Sequence, residues 1–174
     1  MVGVRRAIRL HTGDMNAPDY WLDKEKAFVA STHESEVGNE ESINIQVANP
    51  EGSGRKLYFY FAEMVHSDDV ELTVHTDIEQ VTGETPLTVS NNAIGSSVAS
   101  EAVINQVDDF GSLDTHQIQI FIGGGERELF DGYRVLVLPG ESMLIEAESM
   151  TGGNELGIRM AWAEVEGDIG TRLT

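Results

Sequence analysis

Apolar residues spaced two apart constrain this chain more than any other sequence feature, and the spacing is clearest between Thr115 and Glu166. Successive side chains of an extended segment lie on opposite faces, so the pattern indicates strands with one face on a core. Turn-forming residues separate the segments at Gly123–Gly125, Pro139–Gly140 and Gly152–Gly153. We therefore predict an antiparallel meander of four strands. Its core-facing residues are predicted to be Ile118, Ile120, Ile122, Val135, Val137, Met143, Ile145, Ala147, Leu156, Ile158, Met160 and Trp162.

Further strands are predicted upstream. Ile43–Val47 and Val70–Val74 alternate between apolar and polar residues, and Ala27–Ser31 is a short strand candidate. Lys56–Glu63 is apolar on both faces, which is typical of a central strand or of a strand at an interface. The acidic stretch Thr32–Ser42 is predicted to be a solvated loop.

The strand count predicts the fold class. Eight or nine strands without long helices indicate an all-β antiparallel β-sandwich, with an eight-stranded jelly roll as the expected arrangement. An immunoglobulin-like sandwich fits the same count, and the Ser- and Ala-rich centre of Asn91–Asp114, residues 96–107, fits either a helical turn or an irregular strand. We predict one domain in total, with an N-terminal arm, strand and acidic loop at 1–42, the sandwich at 43–166 and a C-terminal tail at 167–174.

Charge narrows the function classes. Thirty Asp and Glu residues against eleven Lys and Arg residues give a formal net charge of −19. Such a surface repels phosphate backbones, so a nucleic-acid partner is not expected. The carboxylates are spread along the whole chain, which favours a folded domain in a high-salt milieu, where screening suppresses self-repulsion. An ordinary acidic mesophilic protein is the alternative.

Composition also limits the chemistry and the location. The chain has no cysteine, which excludes disulfide frameworks, thiol catalysis and cysteine-based zinc sites. No apolar run approaches the length of about 18 residues that spans a bilayer, and the first residues lack the apolar stretch of a signal peptide. We expect synthesis in the cytoplasm and no membrane insertion.

No pattern of catalytic residues stands out. A cupin metal site requires a His-x-His pair, which is absent, and a glycosidase would need only two of the thirty acids, which makes that signal uninformative. The Gly123–Gly125 triplet lacks the Lys-Ser/Thr that follows a phosphate loop and is predicted to be a hairpin loop. His66 and His75 are predicted to be surface residues beside solvated carboxylates. We expect a non-enzymatic protein.

Four acidic residues are the metal-site candidates. Asp68, Asp69, Asp108 and Asp109 form two adjacent pairs, and clustered carboxylate oxygens are ligands for Ca²⁺ or Mg²⁺. Neither pair has calcium-loop spacing, so solvated acidic loops are the simpler prediction. We expect no cofactor beyond structural Ca²⁺ or Mg²⁺, or monovalent cations.

Aromatic residues provide the binding-site candidates. Tyr58 and Tyr60 are predicted to lie on one face of their strand, with Leu57, Phe59 and Phe61 on the other. Together with Trp21, the two tyrosines are candidates for stacking on a sugar or a receptor. Trp162 is predicted to pack in the core instead.

The run Asn49–Phe61 resembles a family. A strand ending in Asn-Pro, a Gly-Ser-Gly turn and a strand resuming with basic and aromatic residues is similar to a pattern in small jelly-roll virion structural proteins of tailed bacteriophages and haloarchaeal viruses. Val137–Glu164 is similar to their C-terminal part, with a turn at Pro139–Gly140 and a Gly-rich turn between strands.

The resemblance implies a capsid, decoration, turret or tail-associated protein located in the virion. Its implied partners are copies of itself, as a homotrimer or larger ring, and other virion proteins. A carbohydrate- or receptor-binding module that contacts a host-surface glycan is the alternative.

Overall fold

Two antiparallel sheets packed against each other form the fold, as predicted. A computed structural model describes residue 24 and residues 26–76, 81–110, 114–129 and 135–166. Within these ranges there are fourteen strands and one short 3-10 helix, Glu51–Ser53. The strands are β1 (Ala27–Val37), β2 (Ser42–Ala48), β3 (Arg55–His66), β4 (Val70–Thr76), β5 (Val81–Thr82), β6 (Thr85–Pro86), β7 (Ser90–Asn91), β8 (Val103–Val107), β9 (Asp109–Phe110), β10 (Asp114–Phe121), β11 (Gly125–Glu128), β12 (Val135–Val137), β13 (Ser142–Ser149) and β14 (Asn154–Glu166).

The strand order is that of a jelly roll. The first sheet has the order β11-β3-β14-β1-β7, with β12 also paired to β3, and the second has the order β10-β4-β13-β2-β8-β6. The eight-stranded pattern consists of β11-β3-β14-β1 in the first sheet and β10-β4-β13-β2 in the second, and the chain crosses repeatedly from one sheet to the other. The remaining strands widen the sheets, except that β5 and β9 form a separate two-stranded sheet.

The predicted meander is wrong. β13 pairs with β2 and β4, whereas β14 pairs with β1 and β3, so these two consecutive strands belong to different sheets. The Gly123–Gly125 segment likewise connects β10 in one sheet to β11 in the other and is not a hairpin loop. Alternating apolar residues show that a strand has one buried face, but both sheets of a sandwich bury such a face. The pattern therefore cannot assign a strand to its sheet.

The predicted core is confirmed except at β10. The inward residues of β2, β4, β13 and β14 are buried, and Trp162 lies at the centre with its ring centroid 5.5 Å from that of Phe59 and 6.1 Å from that of Phe28. Ile120 and Ile122 were predicted to face the core but are 55% and 69% exposed. The remaining predicted β10 position, residue 118, has a side chain outside the described part.

Strand register explains the β10 difference. Phe121 lies opposite core-facing Val70 and packs against the core, while Ile120 lies opposite Glu71 on the outer face. A one-residue shift exchanges the two faces of a strand. The alternating isoleucines therefore predicted the wrong buried face at residues 120 and 122.

The N-terminal side of the sandwich begins earlier than predicted. β1 runs from Ala27 to Val37, so the proposed loop Thr32–Ser42 is wrong for residues 32–37, and the sandwich includes residues before position 43. These acidic residues are strand because β1 pairs with β14 along Ala27–Glu34, with a register shift before Val37. Backbone pairing here overrides polar composition.

Part of the stretch Asn91–Asp114, for which the sequence predicted either a helical turn or an irregular strand, covers one side of the sandwich. β8 extends the second sheet beside β2, and β7 extends the first sheet beside β1. The segment between them reaches Glu164 on β14, whose Oε1 accepts hydrogen bonds from Ser100 Oγ at 2.5 Å and from the Glu101 amide at 2.9 Å. A buried carboxylate on one sheet thus fixes the loop that links both sheet edges.

Candidate functional site

The outer face of the first sheet has an aromatic surface above small residues. We define this aromatic face as Tyr58, Tyr60, Phe61, Ala161 and Ala163. The three aromatic side chains on β3 are half-buried. Ala161 and Ala163, on the outward side of β14, are 7% and 0% exposed. A solvated sheet face normally has polar residues at such positions, so this surface is unusual for a chain of high charge.

A β-bulge builds the aromatic face. Phe59 pairs with Trp162 and Phe61 pairs with Ala161, so β3 has Tyr60 as an extra residue where β14 has none. The extra residue reverses the alternation, and Phe61 joins Tyr58 on the outer face while Phe59 stays in the core. The prediction that Phe61 shares the buried face is therefore wrong. Because Ala62 and Met64 then face inward, the same bulge also keeps the end of β3 in the core.

A charged pair borders the aromatic face. Arg159 Nη2 donates a hydrogen bond to Glu63 Oε2 at 2.8 Å, and the Arg159 guanidinium lies 5.0 Å from the centroid of the Phe61 ring. This distance is within the range of a cation–π contact. The Arg159 guanidinium therefore contacts both the Glu63 carboxylate and the Phe61 ring, and its positive charge balances the negative charge of Glu63.

Tyr60 links the aromatic face to the segment after β7. Asn92 Nδ2 donates to Tyr60 Oη at 3.5 Å, the long limit of a hydrogen bond. Burial raises the pKa of the Tyr60 hydroxyl above its usual value, and the Asn92 contact offsets part of that shift. The hydroxyl is thus protonated at neutral pH. It keeps a proton to donate to a ligand or to a neighbouring chain.

The structure places the other predicted binding residue outside the described part. Trp21 precedes the described residues, so its place among the stacking candidates stays a prediction. Trp162 is fully buried, as predicted, and belongs to the main core cluster.

Asp68 and Asp69 act as acceptors for backbone amides in the turn between β3 and β4. Asp68 Oδ1 accepts from the Asp69 amide at 2.8 Å, and Asp69 Oδ1 accepts from the Gly123 amide at 2.6 Å. Asn154, at the start of β14, supports this turn: its Oδ1 accepts from Ser67 and Asp68, and its Nδ2 donates to the Asp69 carbonyl. These contacts give the two carboxylates a structural role in the turn.

The second acidic pair follows β8, with Asp108 between the strands and Asp109 at the start of β9. The Asp108 carboxylate occupies the space beside Gly83, where a Cβ would collide with it, and Gly83 has a φ of +68°. The side chain of Asp109 lies outside the described part. Among the described residues, no three His, Asp or Glu side chains are arranged to hold a metal ion.

His75 forms a buried pair that sequence reasoning missed. His75 Nε2 and Glu146 Oε2 lie 2.8 Å apart, on neighbouring strands of the second sheet. The Phe110 ring of β9 lies 5.4 Å from the His75 ring, and His75 is only 7% exposed. The prediction of a surface histidine is wrong because the Phe110 ring packs against His75 and Glu146 lies beside it.

His66 is also buried, contrary to prediction. Its Nδ1 lies 2.8 Å from the main-chain oxygen of Asp68, and its side chain is 2% exposed. A carbonyl can only accept, so Nδ1 carries the proton and donates it. The His66 position follows the bulge at Tyr60, which turns His66 to the core. No local sequence signal marks that bulge.

Like charges meet on the outer face of the second sheet. Glu148 on β13 lies directly opposite Glu71 on β4. Burial raises the pKa of Glu148, and the negative charges of Glu146, Glu71 and Glu40 raise it further. A raised pKa in the folded protein means that ionisation of Glu148 weakens folding above that pKa.

Replacing Glu148 with glutamine should therefore stabilise the protein at neutral pH. We expect a gain of about 0.2–1 kcal/mol, the range for one cross-strand charge pair. The gain should disappear as the pH falls below the ordinary glutamate value of 4.5, where the unfolded chain is protonated too. Urea unfolding at several pH values measures both effects.

Glu166 provides a control of opposite sign for this prediction. A hydrogen bond and the charge of Lys26, together with the charge of Arg55, lower the pKa of Glu166. Glu166→Gln should thus reduce stability slightly at neutral pH, where Glu148→Gln increases it. A stabilising effect of Glu148→Gln that persists in acid would contradict the proposed repulsion.

Comparison with known proteins adds no relative. No model of a known protein family matches the chain, and a search of curated proteins finds no match. In the part of the chain that the structure describes, no helix is long and apolar enough to cross a bilayer. The aromatic face and its charged border therefore carry the functional argument.

Proposed function

We propose that this chain is a structural subunit of a virus particle, in the capsid, a decoration or turret, or a tail, and that it acts by assembling with copies of itself. The aromatic face is the observation that carries the proposal. It presents half-buried aromatic rings on a rigid sheet. Its function would be geometric, since the sheet holds the contact surface in a fixed position.

The fold is compatible with this function but does not distinguish it from other functions of the same fold. Jelly rolls occur in viral capsid proteins, lectins and cupins, so the site must supply the argument. The resemblance of Asn49–Phe61 to virion proteins favours the first class. This stretch contains the start of β3, where the rings of the aromatic face begin.

Charge favours a second copy as the occupant of the aromatic face. The whole chain has a net charge of −19, so two copies repel each other at most approaches. On the aromatic face, Glu63 is paired with Arg159, and the five residues that define it are uncharged. Two copies can meet there without opposing unpaired carboxylates. High salt would suppress the remaining long-range repulsion.

Sedimentation velocity in molar salt tests self-assembly. We expect wild-type protein to form oligomers at micromolar concentration, and Tyr58→Ala combined with Phe61→Ala to weaken association about 30-fold. This corresponds to about 2 kcal/mol, the lower limit for an interface hot spot. Met150→Ala is the matched control, because Met150 is 42% exposed and follows β13, at the opposite end of β14 from Ala161 and Ala163.

A stable wild-type monomer under these conditions would overturn the proposal. Equal association of the double variant and of Met150→Ala would show that another surface mediates assembly. Circular dichroism of the double variant checks that the sandwich is intact, since the side chains removed are only half-buried.

A carbohydrate-binding module is the second candidate function. Aromatic rings beside a polar pair are suited to stacking on a sugar ring and to hydrogen bonding with its hydroxyls. Tyr58, Tyr60 and the Arg159–Glu63 pair supply both kinds of group on one surface. The same residues would then contact a host-surface glycan.

A glycan array separates the two functions. If the face binds sugar, Tyr58→Ala should abolish the signal, while Tyr60→Phe, which keeps the ring, should retain most of it. Wild-type protein that binds no glycan but forms oligomers through the aromatic face would reject the carbohydrate function.

A further inference from the structure

A long strand, β10, forms one edge of the second sheet. β10 pairs with β4 on one side, and no described strand pairs with its other side. Such an edge presents unpaired N–H and C=O groups that can bind another strand. Proteins protect edges by making them short or by placing proline or charged residues on them.

The other sheet edges have these protections. β6 has two residues and includes Pro86, and β7 also has two residues. β11 has four residues, of which Glu126, Arg127 and Glu128 are charged. β10 has eight residues, and its only formally charged side chain is Asp114 at its first position. β12 has only three residues, so β10, which is regular from Gln117 to Phe121 after a register shift at Thr115, is the described edge best suited to strand pairing.

The end of β10 is apolar where it meets solvent. Ile120 is 55% exposed, and Ile122, directly after the strand, is 69% exposed. Residues 115–125 contain no Asp or Glu, in a chain that has thirty. A partner strand can therefore approach the part of this edge after Asp114 without meeting an Asp or Glu of the same segment.

We propose that β10 pairs antiparallel with β10 of a second copy, about a two-fold axis near Ile120. The inference rests on the proposed self-assembly and names a contact distinct from the aromatic face. Pairing joins two six-stranded sheets into one continuous sheet of twelve strands. A two-fold contact uses the same patch on both copies. Ile120 of one copy therefore meets Ile120 of the other, and these two side chains cover each other.

Charge spacing makes this contact dependent on salt. Glu71 is the outward neighbour of Ile120 on β4, so three strand spacings, about 14 Å, separate the two Glu71 residues of the pair. This exceeds the Debye length of about 8 Å at physiological ionic strength and far exceeds the length of about 3 Å at 1 M. Screening removes the main repulsion across the joined sheet.

Cysteine cross-linking tests the geometry directly. The chain has no cysteine, so Ile120→Cys introduces a single thiol. Residues opposite each other in an antiparallel pair have Cα atoms about 4.5–5.5 Å apart, within the range of a disulfide. We expect mild oxidation in molar salt to give a covalent dimer of most of the protein, while Ile94→Cys, which is more exposed and lies outside β10, stays monomeric on a denaturing gel.

Ile120→Glu provides a second measurement. It places two carboxylates at the proposed axis, so the dimer step in sedimentation velocity should weaken at least tenfold, whereas Ile94→Glu should leave it unchanged. Equal cross-linking of Ile120→Cys and Ile94→Cys, or an unchanged dimer in Ile120→Glu, would overturn the inference.

The aromatic-face variant separates the two interfaces. In Tyr58→Ala with Phe61→Ala, the Ile120→Cys cross-link should persist, because the two surfaces belong to different sheets. If oligomers depend on the aromatic face but Ile120→Cys does not cross-link, the β10 contact is rejected and the aromatic face is retained. If Ile120→Cys cross-links but the aromatic substitutions leave association unchanged, the aromatic face is rejected and the β10 contact is retained.

Discussion

A Leu144→Ala variant is expected to lose about 2–5 kcal/mol of unfolding free energy, although period-two spacing places this residue on the outside of its sheet. Its neighbours Met143 and Ile145 face the main core, so Leu144 faces outward, yet it is 0% exposed and stands apart from the main core cluster. The outer face must therefore have a cover. His75 lies opposite Leu144 on β4 and is itself covered by Phe110 of β9.

Leu136→Ala is the matched control for this prediction. Leu136 lies on β12 and is 50% exposed, so its truncation should change the unfolding free energy by less than about 0.5 kcal/mol. Urea unfolding monitored by tryptophan fluorescence measures both variants. Equal losses would show that β9 and its surroundings do not form a packed layer over Leu144.

Phe110→Ala then identifies the cover. If the two-stranded β5–β9 sheet shields the second sheet, removing the Phe110 ring should increase amide exchange along β13 near Leu144 and leave β14 unchanged. Unchanged exchange in β13 would assign the burial of Leu144 to other residues.

The sequence predicted what depends on local alternation. Ile43, Ile45 and Val47 form a buried row, as expected, because a strand with one apolar face must cover it whatever its partner. Trp162 was likewise assigned to the core from its register within β14. Fold class follows from such rows, since many short strands with one buried face pack as a sandwich.

Long-range pairing decided what alternation could not. The bulge at Tyr60 depends on the match between β3 and β14, which are about a hundred residues apart in the chain. It alone moves Phe61 to the outer face and His66 to the core. The apolar character of Lys56–Glu63 on both faces was a correct signal, but it could not show where the faces exchange.

Buried polar groups were the other gap. Glu164, Asn154 and His75 are polar residues in strands, and their composition suggests solvent-facing positions. Each has a hydrogen-bond partner distant in sequence, which offsets part of the cost of its burial. Period two did contain one usable signal: Glu164 continues the inward series of Ile158, Met160 and Trp162 on β14.

Asn154→Ala should be among the most destabilising single changes that leave the hydrophobic core intact. The side chain is fully buried, accepts from the Ser67 amide and hydroxyl and from the Asp68 amide, all at 3.0 Å, and donates to the Asp69 carbonyl at 3.1 Å. A buried polar group left without its partner costs about 1–3 kcal/mol. We expect a total loss of about 3 kcal/mol, because water can reach part of the vacated turn. Asn39→Ala, at an exposed turn position, is the control and should stay within about 0.5 kcal/mol of wild type.

The turn also positions Asp69, whose carboxylate accepts a hydrogen bond from the Gly123 amide after β10, so Asn154→Ala should increase amide exchange at Gly123. A large loss of stability with unchanged exchange at Gly123 would separate Asn154 from the β10 edge and restrict its role to the β3–β4 turn.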